Sequence, residues 1–174
     1  MNTPKAAPTA QHSSIELYKT ANKQASFIAE AMLDFAATDG KTYNKIVLVI
    51  VKRDAQNKAV ATVRYFLDVA PAKVLFHDLW LGALHNDHSE FKQLHGTERA
   101  LNITSLDGGA YRFSVMNKGD GESERMYFDL SKFQTRCLSR SVLDDLHSWQ
   151  MSQMIAFAIY AHALDHKVVN AQTA

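Results

Sequence analysis

The stretch from Arg99 to Leu164 constrains the fold most, because strands and a helix follow one another there with their junctions marked by turn and cap residues. Tyr111-Arg112-Phe113-Ser114-Val115-Met116-Asn117-Lys118 alternates strictly. In a strand this puts Tyr111, Phe113, Val115 and Asn117 on one face and Arg112, Ser114, Met116 and Lys118 on the other. A strand over Arg99–Leu106 and an Asp107-Gly108-Gly109 turn precede it; a Gly119-Asp120-Gly121 loop and a strand over Arg125–Leu130 follow. The chain then enters a helix at Ser131, where Gln134 completes a capping box. Ser141-Val142-Leu143-Asp144 offers a further cap and predicts a break or kink near Arg140. From Leu146 to Leu164 there is no Lys, Arg, Asp or Glu. Trp149, Met154, Phe157, Tyr160 and Leu164 fall on one side of that helix, and Ile155, Ala158 and Ile159 on the other. Such a helix needs cover on most of its circumference, either as a core helix or docked on another subunit.

Toward the N-terminus, Ser13-Ser14-Ile15-Glu16 has capping-box spacing, and Tyr18, Ala21, Ala25, Ile28, Met32 and Phe35 recur every three or four residues. This spacing predicts a helix that stops at Thr38-Asp39-Gly40. Ile46-Val47-Leu48-Val49-Ile50-Val51 is apolar without alternation, as in a central strand covered on both faces. The polar turn Lys52–Lys58 leads to a hairpin partner over Ala59–Leu67, ending before Pro71. Lys73–Trp80 reads as another strand, and Leu81–Thr97 as a loop with a short strand or helix. The expected architecture is α+β: antiparallel sheets packed against an N-terminal and a long C-terminal helix, as one domain over residues 13–167. Residues 1–12 form a disordered tail in this reading, and 168–174 a second tail.

The totals exclude more than they assert. A chain of 174 residues with a formal charge of +1 is long enough for a real core but has no strong overall attraction to phosphate. The charge is uneven, however: residues 41–140 hold 15 Lys and Arg against 11 Asp and Glu. The single cysteine, Cys137, rules out an intramolecular disulfide and Cys-rich zinc modules, and fits a reducing, cytoplasmic setting. Met1–His12 lacks the apolar segment of a secretory signal, and no long apolar run predicts a membrane span.

Two groups of side chains offer chemistry. On the strands, Lys58, Val60, Thr62, Arg64 and Phe66 share one face of the first hairpin, and Arg112 and Lys118 share one face of the second, with Arg125, Tyr127 and Asp129 together on the next strand. Cations beside aromatics on an open sheet can neutralise phosphates and stack on splayed bases. The plain alternative is an ordinary solvated antiparallel face. The second group is His77, Asp78, His85, Asp87, His88 and His95, which has metal-ligand residue types but no converging pattern, so no metal and no cofactor is expected. Cys137 has apolar neighbours on the C-terminal helix, and Gly108-Gly109 and Gly119-x-Gly121 lie in hairpin turns rather than before a helix. Neither a nucleophile nor a nucleotide-binding loop is supported, and no catalytic residue is expected.

The run Asp107–Lys118, followed by Arg125-Met126-Tyr127-Phe128-Asp129-Leu130-Ser131-Lys132-Phe133, resembles the Whirly family of single-stranded DNA-binding proteins over about the last 70 residues. The strand-to-helix step is also similar to that of the smaller positive-cofactor type of transcriptional coactivator. The Whirly resemblance implies two β-sheets packed with helices, a tetramer, and nucleic acid lying along sheet edges and faces. The family pattern opens with strands where this chain is read as opening with a helix, and the nearest match to its lysine-rich strand motif is Lys41-Thr42-Tyr43-Asn44-Lys45. The functional expectation is a non-enzymatic, homo-oligomeric protein that binds single-stranded DNA or RNA. Lys52, Arg53, Lys58, Arg64, Arg112, Lys118 and Arg125 would neutralise phosphate, and Phe66, Trp80 or Tyr127 would contact bases. The alternative is an interaction subunit docking through its apolar C-terminal helix, which dispersed cations and an exposed Phe157/Tyr160 patch would favour.

Overall fold

The structure, a computed structural model, describes residues 14–36, 40–84, 86–94, 96–119 and 122–172. Its first half departs from the helix expected after Ser13. Ile15–Ala21 is strand β1 and Ala25–Ala36 is strand β2, paired antiparallel. The reversal between them is made by Asn22, whose side-chain oxygen accepts from the backbone N–H groups of Gln24 and Ala25 at 2.9 Å each. An Asx turn of this kind competes directly with helix continuation. Phe27, Ala29 and Ala31, spaced by two, are the buried apolar residues of β2, with Ser26 buried as well, so a strand period lay beneath the helical one. Ser13, Thr38 and Asp39 fall outside the described residues, as do the N-terminal tail and the last two residues of the C-terminal one. Glu16 belongs to a strand and caps nothing helical.

Strands β3 (Thr42–Arg53) and β4 (Ala59–Asp68) complete sheet 1, with order β1-β2-β3-β4 and every neighbour antiparallel. The expected central strand and its hairpin partner are both present. Lys73–Trp80, read as a strand, is instead part of helix α1 (Val69–Leu81). Its buried residues Ala72, Leu75, Phe76 and Leu79 follow helical spacing, and Pro71 sits in the first turn, where its missing N–H costs nothing. Gly82 ends the helix at φ +69, and the N–H of Ala83 reaches the Asp78 carbonyl at 2.8 Å.

Strands β5 (His88–Leu94), β6 (Thr97–Ser105), β7 (Tyr111–Gly119) and β8 (Glu122–Leu130) form sheet 2 in that order, again antiparallel throughout. The Asp107-Gly108-Gly109 turn joins β6 to β7 with both glycines at positive φ. At Ser131 the capping box forms as the spacing predicts: the Gln134 N–H donates to Ser131 Oγ at 3.3 Å, and the Ser131 N–H to Gln134 Oε1 at 3.0 Å. Helix α2 then runs unbroken from Lys132 to Gln172. The break expected near Arg140 does not occur, because Leu138, Val142 and Leu146 form one buried stripe through that point.

The two sheets and both helices share one core. Phe27 of β2 meets Phe113 of β7 edge-on at 5.2 Å between ring centres, and Phe128 of β8 at 5.9 Å. The cover on α2 ends near Leu146. Residues 151–160 are all exposed, Met154 at 65%, Phe157 at 73% and Tyr160 at 63%. The core-helix reading of Leu146–Leu164 therefore fails for this segment, and the buried stripe lies in the first third of α2 instead.

Candidate functional site

Strand alternation gives sheet 1 an outer face turned away from the core. Register places Ile28, Val49 and Arg64 in one row across β2, β3 and β4; Glu30, Val47 and Phe66 in the next; and Met32, Lys45 and Asp68 in the third. Val47 and Val49 are buried between these flanking side chains. At the third row the face deepens into a cleft of ≈ 820 Å³, where the end of the β2–β3 hairpin approaches the β5–β6 hairpin of sheet 2. Phe35, Lys41 and Tyr43 of the β2–β3 hairpin line it together with Lys92, Thr97 and Arg99 of the β5–β6 hairpin and Phe66 and Asp68 of β4. A concave, mostly apolar surface with a few converging polar groups is the usual form of a ligand site.

The cleft's electrostatics turn on one carboxylate. The Lys45 ammonium pairs with one oxygen of Asp68, and Lys92 Nζ donates to the other at 2.8 Å. Lys92 is held further by the Phe66 carbonyl at 2.8 Å and Glu90 Oε1 at 3.0 Å, and lies 5.5 Å from the Tyr65 ring centre. Burial works against ionisation of Asp68, but the hydrogen bonds from Lys45 and Lys92 outweigh it and hold its carboxyl below the usual range. Burial likewise works against the charged form of Lys92, and its bonds to Asp68 and Glu90 raise its pKa above that of an ordinary lysine. Tyr65, whose hydroxyl is buried without a partner, is pushed well above the phenolic range by burial and the neighbouring Glu90. Arg99 lies over Phe66, its guanidinium carbon 4.9 Å from the ring centre.

The ten residues singled out from the sequence divide among four places. Phe66 lines the cleft, and Arg64 is exposed one row away on the same outer face. Lys52, Arg53 and Lys58 gather at the β3–β4 turn, where Arg53 is pinned by Ser26 Oγ and the Asn57 carbonyl at 3.0 Å each. Arg112, Lys118, Arg125 and Tyr127 share the outer face of sheet 2, as their spacing predicts. There Arg112 makes two hydrogen bonds to Asp129, at 2.7 and 2.8 Å, and lies 4.4 Å from the Tyr127 ring centre. Lys118 pairs with Glu98 at 3.1 Å, and Arg125 rests against the Met116 sulfur at 3.8 Å. Trp80 stands apart on α1. Lys45, Lys92, Arg99, Phe35, Tyr43 and Asp68 were not singled out. Lys41-Thr42-Tyr43-Asn44-Lys45 carried a signal, since Lys41, Tyr43 and Lys45 alternate and all three line the cleft. For Lys92 and Arg99 only the pairing of β5 with β6 reveals the neighbourhood.

The described members of the histidine group do not converge. His77 and Asp78 lie on α1 and His88 begins β5, whereas His85 and His95 fall outside the described residues. No cluster of three or more metal-ligating side chains exists among the described residues, and none of their helices is long and apolar enough to cross a membrane.

Two four-stranded antiparallel sheets on a common core, linked by one helix and closed by a long terminal one, define a recognised class of α+β protein. The chain has the Whirly fold. It superposes on WHY1 from Arabidopsis thaliana with a TM-score of 0.66 at 13% identity, over 90% of this chain and 96% of that one. For WHY3 from Arabidopsis thaliana the TM-score is 0.64 at 13% identity, over 93% and 99%. For the plant transcriptional regulator PBF-2 it is 0.63 at 12% identity, over 90% of each chain. The expected departure from the family's opening strands disappears, because β1 and β2 stand where the helix was read. No family model and no curated protein matches the sequence.

Proposed function

We propose that this protein binds single-stranded nucleic acid, DNA in the first instance, on the outer face of sheet 1 and in the cleft that ends it, without catalysing a reaction. The observation that carries this reading is the combination in the cleft of aromatic side chains with Lys45, Lys92 and Arg99, which outnumber the carboxylates of Asp68 and Glu90 that pair with them. Cations track a phosphate backbone and aromatic rings stack on bases whatever their identity. From Arg53 to Lys45 the face offers about 26 Å of strand length, with Arg64 and Phe66 on the way, enough for several nucleotides. The Whirly fold supports the same reading, since the family resemblance implies single-stranded DNA along sheet faces. Replication and recombination expose such strands, and a protein of this kind would act there. The test is fluorescence anisotropy with a labelled single strand of ~30 nucleotides at two salt concentrations, beside a duplex of the same sequence. Salt-sensitive preference for the single strand is the expected result; absence of binding at low salt overturns the reading.

A second observation supports self-association, which is compatible with the first reading. Residues 151–160 of α2 expose Met154, Ile155, Phe157, Ile159 and Tyr160, each more than half accessible. The stretch from Leu146 to Leu164 carries no Lys, Arg, Asp or Glu, so nothing in it repels an identical helix. A homo-oligomer joined through this segment would bury it. Light scattering is expected to show a species larger than the monomer, and Ile155→Glu with Phe157→Glu to reduce it to one chain. A monomeric wild type would turn the segment into a docking site for a different protein.

A further inference from the structure

The cleft holds a feature that simple phosphate attraction leaves unexplained: its two inner lysines already have an anion. Asp68 ends β4 and serves as the N-cap of α1, yet its side chain makes no capping hydrogen bond. Its carboxylate instead reaches sideways, one oxygen to Lys45 of β3 and the other to Lys92 of β5. It is half exposed at the mouth of the cleft, so a ligand can approach it from solvent. Among the described residues that line the cleft Asp68 is the one acid, and Lys41 and Arg99 stand with Phe35, Tyr43 and Phe66.

We propose that Asp68 is a specificity-determining residue that stands in for the phosphodiester of a bound strand, holding Lys45 and Lys92 in binding position until a phosphate displaces it. This rests on the single-strand reading above and adds the step by which the cleft admits its ligand. A carboxylate and a phosphodiester both offer two oxygens of like charge to ammonium donors. With Arg99, three cations face the two carboxylates of Asp68 and Glu90, so a net positive charge remains and the site still attracts anions. A ligand with a lone weak anionic group gains little from exchanging with a group already in place. A polyanionic strand gains more, because its neighbouring phosphates reach Arg99 and Arg64 and its bases reach Phe66 at the same time. Asp68 thus lowers affinity for all anions while favouring the chain-like one, which is specificity by a built-in competitor.

The test compares wild type, Asp68→Asn and Asp68→Asn/Lys45→Met by anisotropy, using a labelled single strand of ~30 nucleotides over a salt series. Asparagine is as good an N-cap as aspartate, so the fold is expected to survive, and a thermal melt of each variant checks it. Asp68→Asn is expected to bind about three- to tenfold more tightly at low salt, because a like charge beside the phosphate is gone. Its slope of log K against log salt steepens by about 0.7 for each phosphate newly engaged. The gain disappears in the Lys45→Met background. Inorganic phosphate is the second probe: it competes with the strand more effectively in Asp68→Asn than in wild type. If wild type binds and Asp68→Asn, still folded, binds equally or more weakly, the competitor role is overturned while the function stands. If wild type does not bind, both fall together.

Discussion

The outer faces of the two sheets carry the same kinds of residue in opposite arrangements. On sheet 2 two of the three outer cations have an acid directly across the ladder, Arg112 opposite Asp129 and Lys118 opposite Glu98, and the third, Arg125, lies opposite Met116. Both pairs close as ion pairs, and Arg112 also covers Tyr127. The aromatic face and the charge are spent on each other. At the sheet 1 cleft the pairing is uneven: Lys45 and the neighbouring Lys92 of β5 share Asp68, Lys92 pairs with Glu90 besides, and Arg64 lies in a row with Ile28 and Val49. The surface is also concave at that end. The number of cations on a face therefore says little about its use. What matters is whether each one already has its own partner and whether the surface can enclose a base.

Truncating the aromatic side chains breaks or sustains this contrast most sharply. Phe66→Ala is expected to weaken single-strand binding by about ten- to a hundredfold, since a base stacked on an aromatic ring contributes about 1–3 kcal/mol. Tyr127→Ala on sheet 2 is expected to cost less than about threefold, because both rings lie under a guanidinium but only Phe66 also lines the cleft. Anisotropy titrations of both variants decide the matter, and a larger loss for Tyr127 would move the interface to sheet 2. A smaller effect separates the cations. Arg64→Gln is expected to flatten the dependence of log K on log salt by about 0.7, the signature of one lost phosphate contact. The charge-neutral double change Arg112→Gln/Asp129→Asn is expected to leave that slope where it was. An equal flattening in both would mean that the ion pair on sheet 2 opens to receive phosphate.

The same contrast explains what could be read from the chain before folding. Three strands of sheet 2 were legible because β7 alternates without exception, its turn carries Gly108 and Gly109, and its partners β6 and β8 are adjacent in sequence, whereas β5 lay within Leu81–Thr97, read as a loop with a short strand or helix. The capping box at Ser131 was legible for the same reason, since all its atoms are local. Sheet 1 was half hidden. In β2 the Ala, Met and Glu content favours a helix, and the spacing of Tyr18, Ala21, Ala25 and Ile28 satisfies a helical period; pairing with β3 overrides both. Helix α1 was missed although Ala72, Leu75, Phe76 and Leu79 have the right spacing, because Pro71 was taken to end an element rather than to sit in its first turn. The cleft could not be assembled from the chain at all. Lys45, Asp68 and Lys92 come from three strands of two sheets, and only the shared core brings them together.

The smallest expected effect is on stability, and it distinguishes the two faces by pH. Asp129 is held below the usual carboxyl range by the Arg112 hydrogen bonds, and Asp68 by its two lysines against the opposing effect of burial. A depressed carboxyl pKa contributes stability above the unfolded value, near about 4, that is lost as pH falls through the folded value. Both faces therefore weaken in acid, each by well under about 1 kcal/mol given their exposure to solvent. The alkaline end is different. Lys92 is raised above an ordinary lysine, so its contribution is complete below about pH 10.4 and fades as pH rises through the higher folded value. Arg112 stays protonated throughout, because a guanidinium does not titrate in any range the protein survives. Melting curves of wild type and Lys92→Met are thus expected to converge as pH rises through the raised value of Lys92, whereas those of wild type and Arg112→Gln stay equally far apart. Curves that remain separated for Lys92→Met would mean that this lysine stabilises the cleft through its stem packed along Tyr65, and that the charge shared with Asp68 contributes little.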